Sequence, residues 1–472
     1  MTRAREALAV APILAFVLFA ALVGSAPQPA HAAGELLWSD AFDQNLGADQ
    51  ANEIAVKGRR VVTAGRSDDL DAPDIRQFLL RALDAKTGAP LWSYQLDHVQ
   101  TSEAVAMVVA GKRAFVALEA ENADGSFSGD DWMVSAHDLK TGAPVWEDIA
   151  PSSGDENVAA LAVKGSRVFA GGEVENRVDP ASGRDWLVRA VSAKSRTFLW
   201  EDVHDSALAT DRVVAIGVSG NRVIAAGISN DAAAPDSAGD WLIRALDHKK
   251  GTLLWQKIVD RGGADTVRDM GVVGRTAVVV GRATDGAGVA GANDWFVQAY
   301  DTKTGALLWE DAVDYALDDD EARKVAVGKK QVVVVGGATN AISETSGEDW
   351  IVRAHDTKTG ALLWEDVFDG ANETDRAEQV EFAGKIVLVA GRSQQLVEPG
   401  SGNDWVVRAY DVQTGALLWS DVYDGALGND RPSSTAHGIA VKGKQAFITG
   451  RSANAVDVDS SRDAVVRAYN LK

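Results

Sequence analysis

The sequence contains no cysteine. Disulfides, thiolate metal sites, thiol nucleophiles and a lipid-modified N-terminal cysteine are therefore excluded, and packing alone must hold the fold. Histidine is scarce: there are seven, one of them His31, and none has metal-ligand spacing. No glycine-rich phosphate loop and no Gly-x-Ser-x-Gly elbow occurs. Positive charge is outnumbered, with 47 Lys and Arg against 68 Asp and Glu for a net charge of -21. Such a surface repels nucleic acid and anionic lipid. Long apolar runs are confined to Ala7 to Val23, which follows Arg3 and Arg5 and precedes the small residues of Ala30-His31-Ala32. That order is the order of a secretory signal peptide, so residues 1–32 are expected to be removed. An exported chain in the periplasm or outside the cell, with no membrane span after cleavage, is the expectation.

What is present is repetition. The 14 tryptophans fall into two columns. Trp38, Trp92, Trp146, Trp200, Trp255, Trp309, Trp364 and Trp419 recur every 54 or 55 residues. Trp132, Trp186, Trp241, Trp295, Trp350 and Trp405 keep the same spacing, with Phe78 and Ala464 at the outer equivalents. A residue type confined to two repeat positions serves the repeat, because a ligand site would occur once.

Each unit reads as four strands, here called A to D. In the first they are Glu53-Ile-Ala-Val56, Val61-Val-Thr-Ala-Gly65, Phe78-Leu-Leu-Arg-Ala-Leu83 and Leu91-Trp-Ser-Tyr94, with no helical spacing between them. A four-stranded sheet buries its faces by packing radially against copies of itself. The sequence predicts an all-β, eight-bladed propeller over residues 33–472, a single domain. The chain begins on an isolated D strand, Leu36-Leu-Trp-Ser39, and ends on an unpartnered C strand, Val465-Val-Arg-Ala-Tyr469, so the N-terminal strand should complete the last blade.

Strand C, its turn and strand D resemble the tryptophan-docking motif of pyrroloquinoline quinone (PQQ)-type propellers, Ala-x-Asp-x-Lys-Thr-Gly-x-x-x-Trp. The motif is complete at Ala82, Asp84, Lys86, Thr87, Gly88 and Trp92, and again ending at Trp146, Trp309 and Trp364; partial copies end at Trp200, Trp255 and Trp419. Read physically, the Asp bonds its own turn, the Gly takes positive φ, and the Trp lies across the Ala of the neighbouring blade. The resemblance also implies a dehydrogenase. In that family adjacent cysteines lie against the quinone, a Glu, Asn and Asp set binds calcium, and an Asp base works beside an Arg. Here cysteine is absent and the long insertions are missing; Glu378 or Glu381, Asn52 and Asp269 are conceivable calcium ligands, with Arg323 near the quinone. The expectation is therefore a non-dehydrogenase member of the family, a binding protein rather than an enzyme, with no catalytic, cofactor or metal residues assigned and no cofactor required. It would be monomeric and would bind a protein or peptide of the cell envelope through its loops. A PQQ- and calcium-dependent dehydrogenase is the alternative, and a carbohydrate-binding or hydrolysing propeller the second.

The B-C and D-A loops should share one face of the ring. They differ between blades, as in Ser67 to Asp74, Glu119 to Ser126, Glu173 to Pro180 and Asp457 to Asp459. Two columns at the start of strand A, nearest the channel, are apolar in blades 2 to 4 and polar elsewhere. They place Asn52, Glu53, Arg268, Asp269, Arg323, Lys324, Glu378, Gln379 and His437 at the channel mouth, and Glu381 adds a carboxylate within strand A of blade 7. These ten are the candidate ligand-binding residues. Acidic residues recur before strand A (Asp49, Glu156, Asp211, Asp265, Asp320, Asp375) and open strand C (Asp131, Asp185, Asp240, Asp294, Asp349, Asp404, Asp463). They are expected to cap strand ends and pair with Arg66, Arg282, Arg392 and Arg451. Asp457, Asp459 and Asp463 are a loose match to calcium ligands.

Overall fold

A computed structural model describes residues 32–472 except 45–46, 70–71, 97–100, 122, 124–128, 151–153, 180–182, 207–209, 231–238, 285–292, 371–372, 398, 401, 426–428, 436, 454 and 457–461. The expected signal peptide thus lies outside the described residues, apart from Ala32. So do parts of all four variable loops named above, and the side chains of residues 69–74. No described helix is long and apolar enough to cross a membrane.

Residues 32–472 form an eight-bladed propeller of four-stranded antiparallel meanders. Blade 5 is typical: strand A is Thr266–Val273, B is Thr276–Thr284, C is Asn293–Asp301 and D is Leu307–Val313. Strand C is buried along nearly its whole length in this and most other blades, since neighbouring blades cover both its faces. Strand D forms the half-exposed outer edge. The last blade takes its D strand from the N-terminus: Leu36–Phe42 pairs antiparallel with Asp463–Asn470, from Leu36 opposite Tyr469 to Phe42 opposite Ala464. Its C-D turn has no covalent link. Gly34 N donates to Asn470 O at 2.8 Å and Asn470 N to Glu35 O at 2.9 Å in place of one.

The tryptophans fasten one blade to the next over a glycine of the neighbouring blade. The outer column lies over the positive-φ glycine of the neighbouring C-D turn. A Cβ added at Gly88, Gly142, Gly251, Gly305, Gly360 or Gly415 would sit within 2.8 Å of the ring of Trp38, Trp92, Trp200, Trp255, Trp309 or Trp364 respectively. Gly34 receives Trp419 in the same way, so the non-covalent turn keeps the contact. Where blade 3 lacks the glycine, Arg196 holds the turn at φ 64°. Most of these indoles also donate across the joint, for example Trp309 Nε1 to Thr357 O at 3.0 Å and Trp255 Nε1 to Thr302 O at 3.0 Å. The inner column is fully buried. It packs on strand-B glycines of the following blade, with Trp186 against Gly227, Trp241 against Gly281, Trp295 against Gly336 and Trp350 against Gly391.

A second interblade contact repeats beside the first. The strand-C arginine of one blade meets the strand-D aspartate of the blade before it: Arg81 with Asp40, Arg189 with Asp148, Arg244 with Asp202, Arg353 with Asp311, Arg408 with Asp366 and Arg467 with Asp421, at 2.7 to 3.4 Å. Both partners are largely shielded from water, so removing one member leaves the other charge desolvated.

Trp309→Ala should lower unfolding stability by about 3 to 5 kcal/mol, the range for truncating a buried tryptophan. Denaturant unfolding measures this; an unchanged midpoint would mean that the ring does not carry the joint.

Candidate functional site

Strand A lines the channel, and its loop-face end departs from regular pairing in every blade. In blades 1 to 7 one residue is skipped in the A-B register, and the skipped residues are Asn52, Val105, Ala159, Val214, Arg268, Arg323 and Glu378. A bulge of this kind re-aims side chains at the rim of a sheet. In blade 8 the departure is larger. Pro432 is opposite Gly450 and Ile439 opposite Ile448, and between them Ser433 N donates to Thr449 O at 2.9 Å and Thr449 N to Gly438 O at 3.0 Å. The sequence columns had found these positions by polarity; their bulged backbone was not visible there.

Four of the ten candidates are committed to the scaffold. Glu53 is fully buried and accepts from Met107 N at 3.2 Å, His437 N at 3.1 Å and His437 Nδ1 at 3.1 Å, tying blades 1, 2 and 8 together. Asn52 Nδ2 donates to Glu103 Oε1 at 2.7 Å and Ala104 O at 2.9 Å. Asp269 Oδ2 accepts from Val325 N at 3.0 Å. Gln379 clasps the blade 8 loop, donating to Ser433 O and Thr435 O and accepting from Gly438 N. Asn52 and Asp269 therefore do not join Glu378 or Glu381 in a calcium cage.

The other six line two cavities, Glu378 as a buried residue. A cavity of about 970 Å³ fills the channel, with Arg268, Asp269, Lys324, Gln379, Glu381 and His437 along one arc. Val158, Ala159, Leu161, Val213, Val214 and Ile216 of blades 3 and 4 supply an apolar arc. A second cavity of about 430 Å³ adjoins it and carries four cationic residues, Arg212, Arg268, Arg323 and Lys324, with Glu378 and Ser434. One carboxylate serves two of these cations: Arg268 Nε donates to Glu321 Oε1 at 2.5 Å, and Arg323 pairs with the other oxygen. No ion pair of Arg212 or Lys324 occurs among the described residues. Burial, then the nearby Arg376 and Arg268, push the Arg323 guanidinium down, against the pull of Glu321. Burial pushes the carboxyls of Glu378 and Glu381 up. It works against the charged form of His437, whose side chain is 54% exposed, but Glu53 holds that imidazole above its ordinary value. Arg212 and Glu321 were missed in the sequence because they lie two residues before the columns that drew attention.

The recurrent acids staple loops. Before strand A, Asp49, Asp211, Asp265, Asp320 and Asp375 each accept a backbone N–H from four or five residues upstream, at 2.6 to 2.7 Å. At strand C, Asp185, Asp349, Asp404 and Asp463 accept one from seven residues upstream, at 2.7 to 2.9 Å. This agrees with capping. The expected arginine partners are a different set: Arg66 bonds Glu103 at 3.1 Å, Arg392 faces Glu378 at 3.5 Å, and Arg451 donates to Gln50 at 3.0 Å. Asp457 and Asp459 lie outside the described residues. Asp240, Asp260 and Asp265 bring carboxylate oxygens within 4.8 Å of one another, a spacing that could hold a metal ion.

Fold and channel together define a propeller of the PQQ-like class. Residues 28–132 and 130–349, more than half of the chain, match the family described as outer membrane protein assembly factor BamB, and the chain belongs to that family. No curated protein matches it. Among solved structures it is similar to quinohemoprotein alcohol dehydrogenase ADHIIG from Pseudomonas putida HK5, at 13% identity over 93% of this chain and 76% of that one with a TM-score of 0.56. The quinohemoprotein alcohol dehydrogenase from Comamonas testosteroni gives 12%, 93%, 76% and 0.56. A europium-containing methanol dehydrogenase gives 12% identity, with 93% of both chains covered and a TM-score of 0.53. At these identities the likeness shows the fold. The expectation that the chain is not an enzyme is corrected by these matches, since three dehydrogenases share its propeller over 93% of its length. That expectation leaned on the absence of cysteine and on missing insertions, and the second ground fails, because the methanol dehydrogenase is spanned over 93% of its own length.

The stapling aspartates generate a pH dependence. Burial raises Asp49 and Asp375 to about 7, Asp211 and Asp265 to about 6, and Asp320 to about 8, from an ordinary 3.8. Carboxyls raised in the folded state take up protons on folding, so their stabilisation is complete at low pH and is lost as pH rises through the folded values. His137 and His204, pushed down by burial to about 4, stay neutral above pH 6.5 and do not offset this. The melting temperature should therefore fall between about pH 6.5 and 8.5. Calorimetry that finds it flat or rising over that window would refute the account.

Proposed function

We propose that this propeller takes a small polyanionic carboxylate into its channel mouth, and that PQQ, with the oxidoreductase activity it would bring, is the first such ligand to test. The observation that carries the reading is the 430 Å³ cavity, in which Arg212, Arg268, Arg323 and Lys324 outnumber Glu378 and the shared Glu321 in a chain that is acidic as a whole. Guanidinium forks suit carboxylate oxygens, and a partly enclosed site strengthens each pair. The apolar arc of blades 3 and 4 offers the remainder of a planar ligand a dry wall.

The residues present fit the carboxylates of such a quinone better than they fit its usual calcium. Glu378 Oε2 is buried with no hydrogen-bond partner, but Asn52 and Asp269 are turned to other work. A bound quinone supplies a two-electron acceptor. The chain itself would contribute orientation, through the four cations, and exclusion of water, through the apolar arc. Export by a cleaved N-terminal signal belongs to the same reading, since the dehydrogenase likeness and the family description both fit a protein outside the cytoplasm. A second reading, docking of an envelope protein on the loop face, rests on the family's description as an assembly factor.

Titration calorimetry with PQQ, in chelator and again with calcium, should show saturable binding, and dye-linked oxidation of a primary alcohol should accompany it. Arg268→Ala with Arg323→Ala should weaken binding at least about tenfold, the loss expected on removing charge-assisted hydrogen bonds. No saturable uptake by the unaltered protein would overturn the proposal.

A further inference from the structure

The residues two positions before the bulged ones form a second ring around the loop face, paired across strands A and B. Blade by blade the pairs are Gln50 with Arg66, Glu103 with Glu119, Asn157 with Glu173, Arg212 with Ile228, Thr266 with Arg282, Glu321 with Gly337, Arg376 with Arg392 and Arg431 with Arg451. The ring is polarised: blades 7, 8 and 1 carry five arginines, and blades 2 and 3 carry three glutamates. Like charges directly opposite on neighbouring strands are destabilising. Arg376 next to Arg392 and Arg431 next to Arg451 therefore need compensation.

The available carboxylates do not supply all of it. Arg376 is taken by Glu348, Arg66 by Glu103, and Arg392 has Glu378 at 3.5 Å. Arg431 and Arg451 have no carboxylate at ion-pair distance among the described residues, and Arg451 has only the neutral Gln50 amide, at 3.0 Å. Arg392 Nε and Arg66 Nε are buried donors with no hydrogen-bond partner. Burial, then the like charges of Arg431, Arg462 and Arg66, push the Arg451 guanidinium down to about 9. Burial likewise lowers Arg392, which faces Arg376 and Arg431.

We propose that the loop-face ends of blades 7, 8 and 1 form an oxyanion site in which Arg392, Arg431 and Arg451 hold a phosphate-type dianion, with Arg66 at its flank. Three guanidinium groups from two blades, with a fourth from blade 1 at the flank, match a tetrahedral oxyanion better than a planar carboxylate, which offers two oxygens in one plane. None of these arginines lines the channel cavities, and the one link to the carboxylate site there among the ion pairs of the described residues is Glu378, which lines the smaller cavity and faces Arg392 at 3.5 Å. The glutamates of blades 2 and 3 continue the ring with the opposite charge, Glu103 pairing with Arg66; burial, Asp130 and the neighbouring glutamates raise the Glu119 carboxyl to about 7.

The test is calorimetric titration of the purified full chain with inorganic phosphate and, separately, with glycerol 3-phosphate, at constant ionic strength. Saturable 1:1 binding is expected, and Arg451→Gln or Arg431→Gln should weaken it at least about tenfold. Those variants relieve a like-charge contact, so they should fold; an unchanged far-ultraviolet dichroism spectrum and melting curve without phosphate verify this. Tighter binding of the ester identifies the ligand as a phosphate carried on a larger molecule, and equal affinity identifies free phosphate. Arg268→Ala with Arg323→Ala should leave phosphate binding unchanged, which separates failure here from failure at the channel. No saturable binding of either probe, or equal affinity in Arg451→Gln, overturns the proposal.

Discussion

The contact on which everything else rests is an indole laid over a glycine. A blade by itself is a twisted four-stranded sheet with two apolar faces and an exposed edge, and it gains stability only when the next blade covers it. The outer tryptophans reach the turn of the following blade, where a glycine at positive φ leaves room for the ring. The inner tryptophans repeat the arrangement one layer deeper, on strand-B glycines. With the arginine–aspartate pairs beside them, these contacts fix the angle between blades, and repeated around the ring that angle closes it. The closing blade shows how strong the requirement is. Its turn is broken between the two chain ends, yet Gly34 still sits under Trp419.

A scaffold so uniform frees one place to vary. The C-D turns are held by the docking contact, and strand C is buried from both sides. The loop-face end of strand A has neither constraint, and there a bulge in each blade turns a side chain toward the channel mouth. Blade 8 enlarges its bulge to six residues, which Glu53 and Gln379 then pin to blades 1 and 7. Chemical asymmetry collects at this rim: an apolar arc on blades 3 and 4, cations at the channel on blades 4 to 6, and outside it arginine pairs on blades 7 and 8 with Arg66 on blade 1.

Belonging to the family of an assembly factor while sharing a fold with dehydrogenases is not a contradiction, because a propeller of this kind specifies a geometry and leaves its chemistry to the rim. The balance of charge there is what distinguishes this chain. An acidic protein that gathers arginines at one end of its axis has placed them against its own average.

Blade number, strand order, ring closure and the role of the tryptophans were legible in the residues, because all depend on contacts that recur at one spacing. Their glycine partners were not, since Ala82 and Gly88 both recur with the tryptophan and only coordinates show a ring over Gly88. The candidate site was legible in part. Polarity marked Arg268, Arg323, Lys324 and Glu378, but the same signal marked Asn52, Glu53, Asp269 and Gln379, which hold blades together. A polar side chain satisfied by a neighbouring blade and one facing open space look alike in a single chain. Local pattern determined the blades, because each strand answers to its own alternation and turns. Tertiary structure alone decided which charges meet, because Arg431 and Arg451, or Arg268 and Glu321, become neighbours only after the strands pair and the ring closes.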